Sequence, residues 1–162
     1  MNLVRTVHFV TFLACAILMS VALYMQYVMY LDPCPLCVVQ RFAVIAVGIS
    51  ALAGALHNPS GGGRWGYCIA VAAFALFGGA IAARQVYLQS LPADKIPECL
   101  PGIGFIVQNN SLVDALSIIL AGTGECAETL WTMLGISIPG WTLIAFCVVA
   151  ASQIVLMFRI RG

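Results

Sequence analysis

Lysine occurs only once in this chain, at Lys95, and charged residues of all kinds make up just 8% of it. A soluble domain usually carries about 25% charged residues. So sparse a set cannot cover a water-facing surface when 62% of 162 residues are hydrophobic, and lipid is the expected solvent. The net charge of +1 lacks the basic excess that nucleic-acid binding draws on, so no nucleic-acid partner is expected. Histidine is scarce too, with only His8 and His57. No Gly-x-Gly-x-x-Gly fingerprint follows a strand, and no haem or iron–sulfur spacing occurs.

What is present is long apolar sequence. Phe9–Tyr30 has no charge, Leu36–Leu56 contains only Arg41, Trp65–Ala83 continues past Arg84 to Leu88, and Trp141–Phe158 is the fourth run. Each is near the roughly 20 residues that a spanning helix needs. The first run is long for a signal peptide and three comparable runs follow it, so it is expected to be a retained span. The expected fold is an all-α membrane protein, a four-transmembrane-helix bundle in a single integral membrane domain over 1–162. Its spans are expected at about 9–30, 36–56, 65–88 and 141–158.

Lys and Arg orient such a bundle. Arg5, Arg64, Arg159 and Arg161 mark one side, which is expected to be cytoplasmic and to hold both termini. All six acids (Asp32, Asp94, Glu98, Asp114, Glu125 and Glu128) fall on the other side, in loops of about 31–35 and 89–140. His8 and His57 are on the inner side. Within the long outer loop, Ser111-Leu112-Val113-Asp114 has the form of a capping box, and Gly122 is a plausible stop. The short apolar helix between them, Leu112–Ala121, suits either the outer membrane face or the protein's own outer surface.

Seven cysteines are many for this length. Cys15, Cys68 and Cys147 lie within the spans and read as small buried hydrophobes. Cys34, Cys37, Cys99 and Cys126 lie on the outer side, where disulfides can persist. Four cysteines allow three connectivities. The close spacing of Cys34 and Cys37 favours that pair, leaving Cys99 with Cys126. A zinc site would need all four as ligands with no outer histidine, and lacks the second tight Cys-x-x-C knuckle of a zinc ribbon, so no metal is expected. A staple across so small a loop restrains little chain entropy. Redox exchange is the better use.

The flanks of "DPCPLCVVQR", residues 32–41, agree. Pro35 suits the first turn of a helix, and Cys37 then lies near a helix N-terminus, which favours a thiolate. Arg41 follows one turn later on the same face. An arginine at that depth either snorkels to the headgroups or serves a site; beside Cys37 it can hold a thiolate or an anionic acceptor. Arg84 reads as a snorkelling residue. The two thiol pairs lack a final electron sink, and a lipid-soluble acceptor such as a quinone would supply one.

These residues resemble the DsbB family of bacterial disulfide bond formation proteins. "PCPLCVVQR" is similar to the family's first outer-loop motif, and "GECAETLWTMLGISIPGW" (124–141) to the segment around its last essential cysteine, with Cys99 of "IPECLPG" as the partner of that cysteine. The resemblance covers nearly the whole chain. It implies a bacterial inner-membrane thiol oxidoreductase with the short helix in its second periplasmic loop. Cys34, Cys37, Cys99 and Cys126 would be catalytic, as the redox-active disulfides Cys34–Cys37 and Cys99–Cys126. The partner would be a DsbA-like periplasmic thiol oxidase, meeting Cys99. The cofactor would be a quinone (ubiquinone or menaquinone) drawn from the membrane lipid pool and bound by Cys37 and Arg41, with Gln85 of "ARQVYLQ" as a candidate contact. Gln40 stands where some members carry an acid.

Three rivals share some of these features. A paralogue would serve a different thiol partner. A vitamin K epoxide reductase-like protein places its active Cys-x-x-C in a late span, whereas here the pair opens the second. A disulfide-stapled scaffold gives no reason for Arg41 one turn after Cys37.

Overall fold

The structure is a computed structural model that describes residues 3–60, 62–98 and 103–161. Among the described residues, four helices are long and apolar enough to cross a membrane. They are α1 (Leu3–Tyr27), α2 (Pro35–His57), α3 (Gly62–Gln89) and, after the outer loop, α6 (Ile138–Arg161). The chain is thus an all-α, four-span membrane protein. Large apolar side chains such as Phe9, Ile17, Leu76 and Phe158 point outward. In lipid this needs no covering, whereas every backbone polar group must be paired within its own helix.

Neighbours pack in the order α1, α2, α3, α6. Small residues line the contacts: Ala43, Val47 and Ala51 on α2 meet Val71, Ala75 and Ala82 on α3 in one core with Cys15 and Phe146. Close backbone approach replaces the hydrophobic effect as the adhesive between helices in lipid. At Gly78 even one added carbon would run into the Phe146 ring of α6. At the inner end, buried His8 bonds through Nε2 to Gln153 Oε1 at 3.1 Å, tying α1 to α6. Elsewhere α1 and α6 make little contact, and the gap between their outer halves becomes important below.

The outer loop holds more structure than its sequence announces. Besides α5 (Leu112–Ala121) it forms a short α4 (Ile103–Asn109), a 3-10 turn at Gly124–Cys126, and a two-stranded hairpin, β1 (Thr132–Met133) with β2 (Ile136–Ser137). The last helix starts at Ile138, ahead of the apolar run, with Pro139 in its first turn where a missing N–H costs nothing. The capping box on α5 forms: Ser111 Oγ accepts from the Asp114 amide at 3.3 Å and donates to its carboxylate at 2.6 Å. Helix α5 ends at Gly122, whose φ of +82° few other residues adopt. Ala115 faces inward, while Leu112, Val113 and Leu116 are exposed, an apolar outer face suited to the membrane interface.

Arg84 departs from the snorkelling expectation. Its Nη2 donates to the Ala121 carbonyl at 3.0 Å, and its guanidinium lies over the Tyr87 ring. A cation at the last carbonyls of α5 satisfies an orphan acceptor and complements the helix dipole. Arg84 therefore holds the surface helix to α3.

Candidate functional site

Cys34 is the N-cap of α2, and Pro35 opens the helix. The cap makes the Cys37 amide donate to Cys34 Sγ at 3.3 Å, which folds the second cysteine back toward the first. The two sulfurs are 2.7 Å apart. Between them in sequence, Leu36 is fully buried and anchors the outer loop through Leu88 and Cys126.

The loop brings a third cysteine. Cys126, at the end of the 3-10 turn, is fully buried and packs in one cluster with Cys34 and Leu36. Cys34 thus has Cys126 beside it in the cluster and Cys37 at its sulfur, and hydrogen bonding with these two thiols together with burial pushes its own thiol well above the ordinary range. Cys126 moves the other way, down to about 6. The Cys34 hydrogen bond is the largest cause, burial opposes it, and the backbone amides of Leu36 and Thr123 and the Thr123 hydroxyl add to it. Cys126 is the better nucleophile of the two, since the thiolate is the attacking form. Cys99 lies outside the described residues, and with it the expected Cys99–Cys126 pair. Cys15 and Cys68 are buried in the bundle far from these sulfurs, and Cys147 is exposed on α6.

On its other side Cys37 lines a cavity of about 390 Å³. It occupies the gap between α1 and α6. Leu18, Met19, Ala22 and Met25 of α1 form one wall, Val44 of α2 the back, and Ile138 and Trp141 of α6 the other wall. Leu130, Trp131 and Met133 close it from the outer loop. Cys37, Gln40, Arg41, Thr142 and Asp32 supply nearly all its polar groups. Arg41 is held on α1: one guanidinium nitrogen bonds Gln26 Oε1, and Nη2 donates to the Ala22 carbonyl at 3.1 Å. A mostly apolar concavity with a few convergent polar groups is the usual form of a small-molecule site.

Of the expected site residues, the structure brings Cys34, Cys37, Cys126, Arg41 and Gln85 together. Gln85 does not line the cavity. It is buried beneath the sulfurs and donates from Nε2 to Cys34 at 3.1 Å and to Cys37 at 3.2 Å. Sequence reasoning passed over Gln26 and Thr142 and read Gln40 only as a departure. Their signal was available: polar side chains inside apolar spans are costly and need partners.

The chain matches the model of the family described as disulfide bond formation protein DsbB over residues 4–156. It is 51% identical to disulfide bond formation protein B of Hahella chejuensis over 142 residues, 88% of this chain and 86% of the relative. It is 44% identical to the protein of that name from Nitrosococcus oceani over 159 residues, 98% and 94% of the two chains. With disulfide bond formation protein B 1 of Pseudomonas aeruginosa it shares 43% over 155 residues, 96% and 95% of the two.

Proposed function

Because the chain belongs to the DsbB family, and so is a membrane oxidoreductase of disulfide bond formation, we propose that it reoxidises a DsbA-like periplasmic dithiol oxidase and passes the electrons to a membrane quinone. The observation that carries this reading is the position of Cys34 and Cys37 between two neighbours, the Cys126 sulfur on the loop side and the apolar cavity on the membrane side. Arg5, Arg64, Arg159 and Arg161 at one end of the bundle support a topology with both termini in the cytoplasm, in which the thiols would face the periplasm of a bacterial inner membrane.

The steps balance as two thiol–disulfide exchanges and one two-electron transfer. A thiolate of the reduced partner attacks Cys99 of a Cys99–Cys126 disulfide, and Cys126 leaves as thiolate. The partner's second thiol then attacks the mixed disulfide, so that the partner leaves oxidised and the loop pair reduced. The Cys126 thiolate attacks Cys34 of the Cys34–Cys37 disulfide, and Cys37 leaves as thiolate at the cavity wall. Cys99 then displaces Cys34 from Cys126, which restores the loop disulfide and leaves Cys34 and Cys37 as the reduced pair. A bound quinone supplies the acceptor of two electrons and two protons that restores the Cys34–Cys37 disulfide. The residues present fit such a group: an apolar ring and tail suit Leu18, Met25 and Val44, and Arg41 offers a fixed cation beside Cys37. Gln85 serves the sulfurs rather than the ring.

Turnover of purified protein with a reduced DsbA-like partner and either ubiquinone or menaquinone tests the reading. Cys→Ser variants at 34, 37, 99 and 126 should each abolish it, and those at 15, 68 and 147 should not. Normal turnover in Cys34→Ser or Cys99→Ser would refute the relay.

A further inference from the structure

A line of hydrogen bonds crosses three helices and ends on the thiol pair. Thr142 Oγ1 of α6 donates to Gln40 Oε1 of α2 at 2.6 Å. Gln40 Nε2 donates to Gln85 Oε1 of α3 at 2.6 Å. Gln85 Nε2 donates to both sulfurs, at 3.1 and 3.2 Å. Both glutamines are buried, so neither end of either amide can turn to water.

An amide has one donor end and one acceptor end, so in a line of amides the sense of the first fixes the sense of the next. With Thr142 donating, Gln40 must present N–H to Gln85, and Gln85 must present N–H to sulfur. A thiolate only accepts, and this sense suits it. The opposite sense suits a thiol. With the Gln85 amide turned over, its oxygen would stand where Nε2 now stands, 3.1 and 3.2 Å from the sulfurs, and accept the S–H there at closer range than the 3.6 Å that separates Cys37 Sγ from Oε1 in the present sense. Gln40 would then turn over as well, and the Thr142 proton would move to the Pro139 carbonyl, 3.0 Å away. The line has an acceptor ready at its far end for each protonation state of the sulfurs.

We propose that Gln40 is a positioning residue that keeps the Gln85 amide N–H on Cys34 and Cys37, favouring the Cys37 thiolate in the reduced protein. Its use rests on the oxidoreductase reading; its geometry does not. Other charged or titratable groups facing the pair are Cys126, with Glu125 and Glu128 in the shallow recess above it, and Asp32 and Arg41 on the cavity side. These are common to every variant below. Gln40 also lines the cavity, but the role proposed here rests on its two hydrogen-bond partners, Thr142 and Gln85.

The test is the alkylation rate of Cys37 in the fully reduced chain, without partner or quinone, followed by peptide mass mapping. The ratio of the rate at pH 7 to that at pH 10 cancels accessibility and reports the thiolate fraction. In Gln40→Glu a carboxylate that only accepts draws the Gln85 N–H to itself and turns its carbonyl to the sulfurs, and the ratio should fall about tenfold. The added charge also acts directly, so the same substitution is made in a Gln85→Met background, where no amide can turn. There the further fall should be no more than about twofold. Gln40→Met, neutral and of similar volume, frees the Gln85 amide to rotate and should lower the ratio about threefold. An unchanged ratio in Gln40→Met and Gln40→Glu overturns the proposal, and so does an undiminished Gln40→Glu effect in the Gln85→Met background. Absent turnover in the unsubstituted protein would sink the oxidoreductase reading and leave this ratio intact; a flat ratio would sink the Gln40 role and leave turnover intact.

Discussion

Gly122 is the point at which Leu36 and Leu88 close on the outer loop: a Cβ there would lie 3.0 Å from Leu36 Cδ1 and 2.5 Å from Leu88 Cδ1. Leu36 sits between the two cysteines of the Cys-x-x-C pair, and Gly122 lies four residues before Cys126. The missing side chain is what lets the loop settle with its cysteine against Cys34.

Gly122→Ala should therefore disturb the site through the loop. The new methyl overlaps two buried leucines, and the φ of +82° is strained for any residue with a Cβ. A destabilisation of about 1–3 kcal/mol is expected. The more telling measurement is oxidative cross-linking of Cys34 to Cys126 in a Cys37→Ser, Cys99→Ser chain. The yield should fall severalfold, and an unchanged yield would mean that the contact does not position the loop.

The low value of Cys126 predicts a pH profile for the reduced protein. Its folded value of about 6 lies below the ordinary 9.0. Between those values the folded chain holds a thiolate where the unfolded chain holds a thiol. The resulting stabilisation is complete above about 9 and is lost as pH falls through about 6. Reaction of Cys126 with methyl methanethiosulfonate should be flat above pH 6 and fall about tenfold per unit below it. Replacing Cys34 by Ala removes the largest cause, the hydrogen bond from its thiol, and should move the midpoint up toward 9. A midpoint unmoved by Cys34→Ala would contradict the sulfur-to-sulfur bond.

Much of this architecture was legible in the sequence, and the reason is the solvent. Lipid demands long uncharged helices, so the runs of α1, α2, α3 and α6 announced themselves. Ser111 and Gly122 marked the ends of α5 because caps are local chemistry. The hairpin at Thr132–Ser137 was not legible, because its strands are two residues each and carry no periodicity. Nor was the approach of Cys126 to Cys34, which spacing along the chain cannot express. The cavity was hidden for the same reason. It exists because α1 and α6 are packed to α2 and α3 but scarcely to each other, a property of the assembled bundle rather than of any segment.

The cavity makes its own prediction. Ala22 of α1 faces into it, and Phe at that position would take up much of about 390 Å³ without adding charge. Ala22→Phe should raise the apparent quinone KM about tenfold while leaving single-turnover thiol exchange with the partner unchanged. If quinone KM is unaffected, the acceptor binds elsewhere.

Arg41 decides whether the motif is a site or an anchor. Its guanidinium is not reaching for headgroups: it bonds Gln26 and the Ala22 carbonyl across the gap to α1, at the wall that Cys37 also lines. Two donors are committed to α1, and the planar fork has further N–H groups for a cavity ligand. Lys could keep the charge but not both bonds to α1 and a third to the ligand. Arg41→Lys should thus raise quinone KM a few-fold, and Arg41→Ala about a hundredfold, roughly the loss of one charge-assisted hydrogen bond in a low-dielectric site. Gln26→Leu separates holding from binding. It leaves the cation but frees one end of it, so a KM between wild type and Arg41→Lys is expected. Steady-state kinetics against quinone concentration for the three variants give the order. Wild-type KM in Arg41→Ala would reduce the arginine to a strut between α1 and α2, and the acceptor site would have to be assigned without it.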